Sequence, residues 1–211
     1  MVKNKKTKSV KFRLLLTLLT LITVVMISTI FVVLNDDEYR GKTLDLLEQN
    51  GAPIELEIPE EYISVYKDAA DKYDIDWHLL AAHHRVETRF STMDTLVSPV
   101  GAEGHMQFMP CTFIGWQHPS CEGLGEGNIP EAELTDPSAI EKYGGYGVDA
   151  NQDGVADPYH IEDAVYSAAN YLSQNGASDG DLERAIFLYN RSDQYVDDVL
   201  GYYYEYKEKH P

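Results

Sequence analysis

The pattern of apolar and polar positions divides the 211-residue chain into an apolar run, a polar connection and a region with helical periodicity. The apolar run, residues 14–34, contains no charged residue over 21 positions. At about 1.5 Å per residue, such a helix spans the roughly 30 Å hydrocarbon core of a membrane. The run is longer than a signal-peptide core, and no small-x-small cleavage site ends it. A retained transmembrane anchor is therefore favoured over a cleaved signal.

The charges on either side of the run predict its orientation. Six cations lie within residues 1–13, whereas Asp36, Asp37 and Glu38 follow the run. The positive-inside rule therefore predicts a cytoplasmic tail at residues 1–13, with everything after residue 34 outside the cell membrane. The anchor, the lack of a lipobox cysteine near the N-terminus and the acidic outer part suggest a Gram-positive cell surface.

After the run, the pattern predicts a polar stalk at residues 35–57 and a mostly α domain at residues 58–208. Pro59 suits a first helical position, and Asp76 is a good N-cap for a second helix whose apolar residues extend to Phe90. Three more helices are predicted, in EDAVYSAANYLSQNG, GDLERAIFLYN and SDQYVDDVLGYYYEYKEK, with Ser192 as the N-cap of the last one.

Residues 95–160 are rich in glycine, proline, asparagine and aspartate, which predicts a long irregular region. This region contains Cys111 and Cys121, which in an oxidising compartment favour a disulfide over two free thiols. A zinc site would need more ligands than His118, the only histidine between them. The same region contains SPVGAEGHMQFMPCTF, where the amide of Gln107 suits sugar hydroxyls or an N-acetyl group, although a structural role explains it equally well.

The charge of the outer part argues against one class of partner. All 35 acidic residues follow the apolar run, together with only 11 of the 17 basic residues. A surface this negative repels a phosphate backbone, so we do not expect nucleic acid as a partner.

The stretch HHRVETRF carries the most informative candidate residue, Glu87, at the edge of the apolar stripe of its predicted helix. Partial burial there disfavours the charged form, which keeps a carboxyl group protonated as a general acid near neutral pH. A boundary glutamate that reaches water or pairs with an arginine is the simpler alternative. A zinc site with His83 and His84 is another, although the H-E-x-x-H pattern is absent. The two histidines are expected to be partly exposed helix residues, or one of them to line a cleft.

The stretch VDANQDGVADPYHIED follows the first half of an EF-hand calcium loop, with oxygen ligands at positions 1, 3 and 5 and glycine at position 6. Position 12 is His160 rather than glutamate, so a later aspartate would have to close a longer loop. Plain turns show the same alternation, and both interpretations stay open. The candidate ligands offer oxygen donors and are Asp149, Asn151, Asp153, Val155 through its carbonyl, and Asp163.

The segment LYNRSDQYVDDVL contributes Tyr189, Asn190 and Tyr195. Aromatic and amide side chains together suit sugar rings, which present C–H faces and hydroxyl edges. An ordinary packing corner between two helices would give the same pattern.

Together these segments resemble the lytic murein transglycosylases of the lysozyme superfamily, most closely the membrane-bound B type. The likeness covers residues 58 to about 205 and rests on four ordered blocks, VETRF, SPVGAEGHMQFMP, YGVDANQDGVADPYHIEDAVYSAANYL and LYNRSDQYVDDVL. The chain departs from the family in having Thr88 after the glutamate instead of serine, and His105 in the glycine block where an apolar or aromatic residue is usual.

The resemblance implies a lysozyme-like α fold with a glycan cleft in which Glu87 is the sole catalytic acid/base. It implies that side chains from the other blocks contact substrate or line the cleft, namely Ser98, Gln107, Tyr171, Tyr189, Asn190 and Tyr195. The family's calcium loop is longer than an EF-hand, so Asp163 matches its final ligand, and Ca²⁺ there would be structural.

The activity that the resemblance implies is cleavage of the MurNAc-β-1,4-GlcNAc bond of peptidoglycan, with formation of 1,6-anhydro-MurNAc. Two alternatives stay open at this point. The same cleft would act as a lysozyme if water attacked instead, and a protein that only binds peptidoglycan as a scaffold would use the fold without the chemistry.

Overall fold

The computed structural model describes residues 20–28 and 57–211, and the chain divides into two compact units, Met1–Ile54 and Glu55–Pro211. Residues 20–28 are helical with exposed apolar side chains. In these described ranges, no helix has the length and apolar character needed to cross a membrane. The predicted tail at residues 1–13, nearly all of the predicted stalk and most of the apolar run lie outside the described residues. The transmembrane anchor therefore stays a prediction.

The unit Glu55–Pro211 is mostly helical, which confirms the predicted α class. No strand occurs among its described residues, and the irregular region has only the isolated β-bridges Val97–Glu103 and Glu103–Phe108. A 3₁₀ turn, Ala177–Asp179, lies between the helices Ile161–Gln174 and Leu182–Tyr189. In chain order the helices are α1 Glu60–Tyr73, α2 Trp77–Thr88, α3 Pro110–Ile114, α4 Glu131–Leu134, α5 Pro137–Tyr143, α6 Ile161–Gln174, α7 Leu182–Tyr189 and α8 Asp193–Lys209.

Helix α2 lies at the centre of this unit, packed against α1, α6 and α8. Every residue from 78 to 85 is buried, including His83 and His84, which have no exposed surface. The expectation of partly exposed histidines was wrong because neighbouring helices enclose α2 on all sides, whereas the sequence pattern indicated one apolar stripe. The polar ring atoms must then find partners inside the protein.

Local signals at the helix ends were predicted well. Asp76 accepts a hydrogen bond from the His78 amide at 3.1 Å, and Ser192 accepts one from the Tyr195 amide at 3.3 Å. Helix α2 is shorter than predicted, because it ends at Thr88 and the next residues turn into the left-handed region. Phe90, predicted on its apolar face, has a φ of 57° and is buried beyond the helix end.

The irregular region contains three short helices, α3, α4 and α5, that the periodicity did not reveal. They span four to seven residues, which is too short to show a helical repeat. Cys111 of α3 is bonded to Cys121, with Cα atoms 5.6 Å apart, so the segment between them is a closed loop.

Candidate active site

Glu87 is the penultimate residue of α2, where that helix meets the first turn of α8. The Tyr195 hydroxyl, in this first turn, donates a short hydrogen bond to Oε1 of Glu87. Burial raises the pKa of the Glu87 carboxyl to about 8, and the hydrogen bond from Tyr195 opposes this rise. The carboxyl is therefore protonated at neutral pH and can donate its proton to a bound ligand.

No second carboxylate among the described residues contributes to this pKa shift, since burial and Tyr195 are its only causes. The usual glycosidase pair, by contrast, has two carboxyl groups about 5–9.5 Å apart that influence one another. The pKa of Glu87 therefore gives no sign of a carboxylate partner.

Two tyrosines, Tyr195 and Tyr189, interact with the Glu87 carboxyl, and a third, Tyr171, packs against Tyr189. Tyr189 and Tyr195 have nearly parallel rings, 3° apart in plane with centroids 6.5 Å apart, and Tyr171 meets Tyr189 edge to face at 5.1 Å. Tyr189 donates to the Met106 carbonyl at 2.7 Å, and Tyr171 donates to the Leu188 carbonyl at 2.6 Å. Burial is the main cause that raises the pKa of each of the three hydroxyls, so they remain neutral donors.

A small, partly open pocket with a cavity volume of about 40 Å³ is lined in part by Tyr171 and Tyr189. Gln107 has a positive φ of 50°, and its amide donates to the carbonyls of Leu96 at 3.0 Å and Gly104 at 2.8 Å. The Gln107 oxygen is therefore the atom that this side chain offers to a ligand. The lining combines aromatic, amide and hydroxyl groups and consists of Gln107, Phe108, Met109, Thr112, Tyr171 and Tyr189.

Three of the predicted contact residues, Ser98, Asn190 and Tyr195, are not part of this lining, and neither is Glu87, which Tyr195 joins by its hydrogen bond. The Ser98 hydroxyl accepts the Ala102 amide at 2.9 Å and so closes a turn in its own loop. Asn190 is exposed at the end of α7. Conversely, the lining includes Phe108, Met109 and Thr112, which the sequence analysis did not single out. Their pattern is typical of core residues, and only their position just after Gln107 could have indicated the site.

The structure gives no support to the zinc interpretation of the histidine pair. Both ring nitrogens of His84 are engaged, Nδ1 with the Tyr66 hydroxyl at 2.6 Å and Nε2 with the Ser91 hydroxyl at 2.7 Å. His83 bonds the Leu79 carbonyl through Nδ1 at 2.9 Å. Burial holds the pKa of His84 at about 3 and that of His83 at about 4, so both rings are neutral parts of the core.

Thr88 and His105, the two departures from the family pattern, contact each other. The Thr88 hydroxyl donates to the His105 carbonyl at 2.8 Å and accepts the Ser91 amide at 3.1 Å. The His105 ring contacts the Ser91 hydroxyl at 2.6 Å and the Tyr159 carbonyl at 2.9 Å. These bonds tie the end of α2, where Glu87 lies, to the glycine-containing loop that carries Gln107.

The candidate calcium loop is held by hydrogen bonds to its own backbone. Asp149 accepts the amides of Asp153 and Gly154, and fully buried Asp163 accepts those of Ala150, Asn151 and Asp157. Burial raises the pKa of the Asp163 carboxyl, and these amides oppose the rise. In the described ranges, no three His, Cys, Asp or Glu side chains lie close enough to share a metal ion. The oxygen donors suit Ca²⁺ by type.

Comparison with known proteins adds no assignment, since no protein-family model matches the chain and no curated protein is similar to it.

Proposed function

We propose that the protein is a peptidoglycan lytic transglycosylase with a lysozyme-like α domain, in which Glu87 is the single general acid and base. The observation that carries this proposal is the Glu87 carboxyl at the end of α2, bonded to the Tyr195 hydroxyl, with its pKa raised by burial, while Tyr195 stacks on the pocket residue Tyr189. The mostly helical fold is consistent with the proposal.

In the proposed reaction, Glu87 gives its proton to the oxygen of the MurNAc–GlcNAc bond, and the bond from C1 of MurNAc to that oxygen breaks. The substrate's own N-acetyl group stabilises the oxocarbenium-like state. The Glu87 carboxylate then takes the proton of the MurNAc 6-hydroxyl while the oxygen of that hydroxyl attacks C1. This step forms the 1,6-anhydro ring and restores the protonated Glu87. Because the attacking group belongs to the substrate, the chemistry needs neither water nor a second carboxylate, unlike the two-carboxylate glycosidases.

Digestion of purified peptidoglycan by the full chain, with the products identified by mass spectrometry, tests the proposal. We expect 1,6-anhydro-muropeptides from the natural protein and none from Glu87→Gln. Products with reducing MurNAc ends would instead show lysozyme-type hydrolysis in the same cleft. Binding without products from several peptidoglycan types would identify a scaffold protein.

We expect the rate to depend on pH through Glu87. Its pKa is raised to about 8, so kcat/KM should fall about tenfold per pH unit above pH 8, as the required acid loses its proton. In Tyr195→Phe the ring stays but the hydrogen bond that lowers this pKa is lost, so the alkaline limb should move to higher pH. The pH profile of both proteins on a soluble glycan checks this. An unchanged limb in Tyr195→Phe would contradict the assignment to Glu87.

We also propose that Ca²⁺ binds the loop formed by residues 149–163 and stabilises it without acting in the reaction. The supporting observation is the buried carboxyl of Asp163 at the centre of a loop that carries further oxygen donors. At about 100 times its Kd, calcium should add about 2.7 kcal/mol of stability. We expect the melting temperature to rise with CaCl₂ and to fall with EDTA, and Asp153→Asn to weaken both effects. Equal melting curves with and without calcium would exclude the site.

A further inference from the structure

The disulfide-closed segment between Cys111 and Cys121 presents a large aromatic side chain to solvent. Trp116 is 52% exposed, and Leu124, just beyond the closed loop, is 72% exposed. Exposing this much apolar surface brings no stability to the fold, and apolar surface patches commonly mark interaction sites.

The backbone around Trp116 is held in place from several sides. The disulfide closes the loop, and the Cys111 amide donates to the Gly125 carbonyl at 2.9 Å. Gly115 has a φ of 115°, and a β-carbon there would lie 2.2 Å from the Tyr143 carbonyl oxygen. The backbone of the loop therefore packs closely against the end of α5, and the backbone position of Trp116 is fixed. Such an arrangement lowers the entropy lost when a ligand binds.

The Trp116 ring lies next to a residue that lines the pocket. A β-carbon at Gly125 would lie 3.2 Å from Cζ2 of Trp116 and 3.3 Å from Cβ of Met109. Both side chains therefore border Gly125, and Met109 also lines the pocket with Tyr189. The apolar surface of Trp116 continues outward from the pocket on the Met109 side.

The pocket is too small to hold a polymer. Its cavity volume of about 40 Å³ falls far below the roughly 300–1,000 Å³ of sites that enclose a small molecule. A glycan strand that reaches Glu87 must therefore continue over the surface on either side. Indole offers a flat apolar face, which matches the C–H face of a sugar ring, and it carries no charge that would oppose anionic peptide stems.

We propose that Trp116 is a binding residue for the glycan strand, stacking against a sugar ring outside the pocket on the Met109 side. This inference rests on the proposed function, since it takes the pocket to be part of a glycan cleft. The disulfide closes the loop that carries Trp116, and Leu124 exposes further apolar surface directly before Gly125.

The test compares long glycan strands with a GlcNAc–MurNAc tetrasaccharide, using the full chain. In Trp116→Ala we expect KM for long strands to rise about tenfold with kcat nearly unchanged, as for truncation of an aromatic anchor. The tetrasaccharide should be cleaved about as well as before, and Trp116→Phe should retain most of the affinity. Tyr204→Ala removes a 62% exposed aromatic residue near the other end of α8 and is the matched control.

Binding without turnover gives a second readout. The chain has two tryptophans, and the other, Trp77, is stacked on His78 with ring centroids 3.9 Å apart. In Glu87→Gln, long strands should shift the emission of Trp116 to the blue, and Trp116→Phe in that background should abolish the shift. Equal losses on long and short substrates, or losses matched by Tyr204→Ala, would overturn the inference. Failure of the natural protein to cleave any peptidoglycan would instead overturn the proposed function.

Discussion

Replacement of Glu87 by glutamine is expected to lower the turnover of peptidoglycan by at least about a thousandfold, the upper part of the range for general acid–base catalysis. Glutamine keeps the size and can still accept the hydrogen bond from Tyr195, but it has no proton of suitable acidity to transfer. Since the proposed mechanism uses one carboxyl as both acid and base, no neighbouring group compensates. Affinity for glycan strands, measured by co-sedimentation with peptidoglycan, should change by less than about threefold, because the pocket lining stays intact.

The same substitution should stabilise the fold at alkaline pH. The pKa of Glu87 is raised in the folded protein, so the native state binds more protons than the unfolded chain between about pH 4.5 and pH 8. Stability from this group is complete below pH 4.5 and is lost as the pH rises to 8. Glutamine removes this dependence. With the partial exposure of Glu87 taken into account, we expect Glu87→Gln to gain on the order of 2–4 kcal/mol at pH 9 and little at pH 4.

Glu103 offers a matched control for both effects. Its pKa is also raised, with burial as the main cause, and it lies in the loop that carries Gln107. Glu103→Gln should retain activity within about threefold, because the Glu103 carboxyl bonds the Tyr159 side chain, whereas Glu87 bonds Tyr195 beside the pocket tyrosine Tyr189. Urea denaturation at pH 4 and pH 9 measures the stability of all three proteins. A Glu87→Gln protein that still forms products would refute the assignment of the acid.

Features set by neighbouring residues could be predicted from the sequence. The caps at Asp76 and Ser192 depend on a side chain and an amide two or three positions away, and both are formed. The helices α1, α6, α7 and α8 are long enough to show periodicity and were also expected. The short helices of residues 95–160 escaped prediction because their position depends on the disulfide and on packing against glycines.

Features that join distant segments could not be derived from local pattern. Glu87 and Tyr195 are 108 positions apart, and only the resemblance to a family placed both in one cleft, without predicting the hydrogen bond between them. The burial of His83 and His84 depends on three helices that close around α2. The alternation of Asp149, Asn151 and Asp153 was visible in the sequence. Their side-chain oxygens accept hydrogen bonds from backbone amides of the same loop and from the Asn151 side-chain amide. Sequence spacing alone does not decide between such bonds and metal coordination.

The second large effect is expected from Gly104→Ala. Gly104 has a φ of 80°, and a β-carbon there would lie 2.0 Å from the carbonyl oxygen of Pro158. Alanine would therefore force the backbone before Gln107 away from Pro158, which belongs to the candidate calcium loop of residues 149–163. It would also break the 3.1 Å hydrogen bond from the His105 amide to the Pro158 carbonyl. Backbone strain and overpacking together should cost about 3–5 kcal/mol. Thermal unfolding should show a fall in melting temperature of about 10 °C.

Gly101→Ala separates the two causes. Gly101 has a similar φ of 85°, but the nearest atom to its added β-carbon is Cγ of Glu126 at 3.7 Å, an ordinary contact. Only the strain of the left-handed backbone remains, so we expect a loss of about 1–2 kcal/mol. Gly104→Ala should also lower peptidoglycan cleavage at a temperature where it is fully folded, since the Gly104 carbonyl fixes the Gln107 amide. Equal stability and equal activity of the two variants would mean that the loop does not need its close approach to Pro158, and that Gln107 is positioned by other contacts.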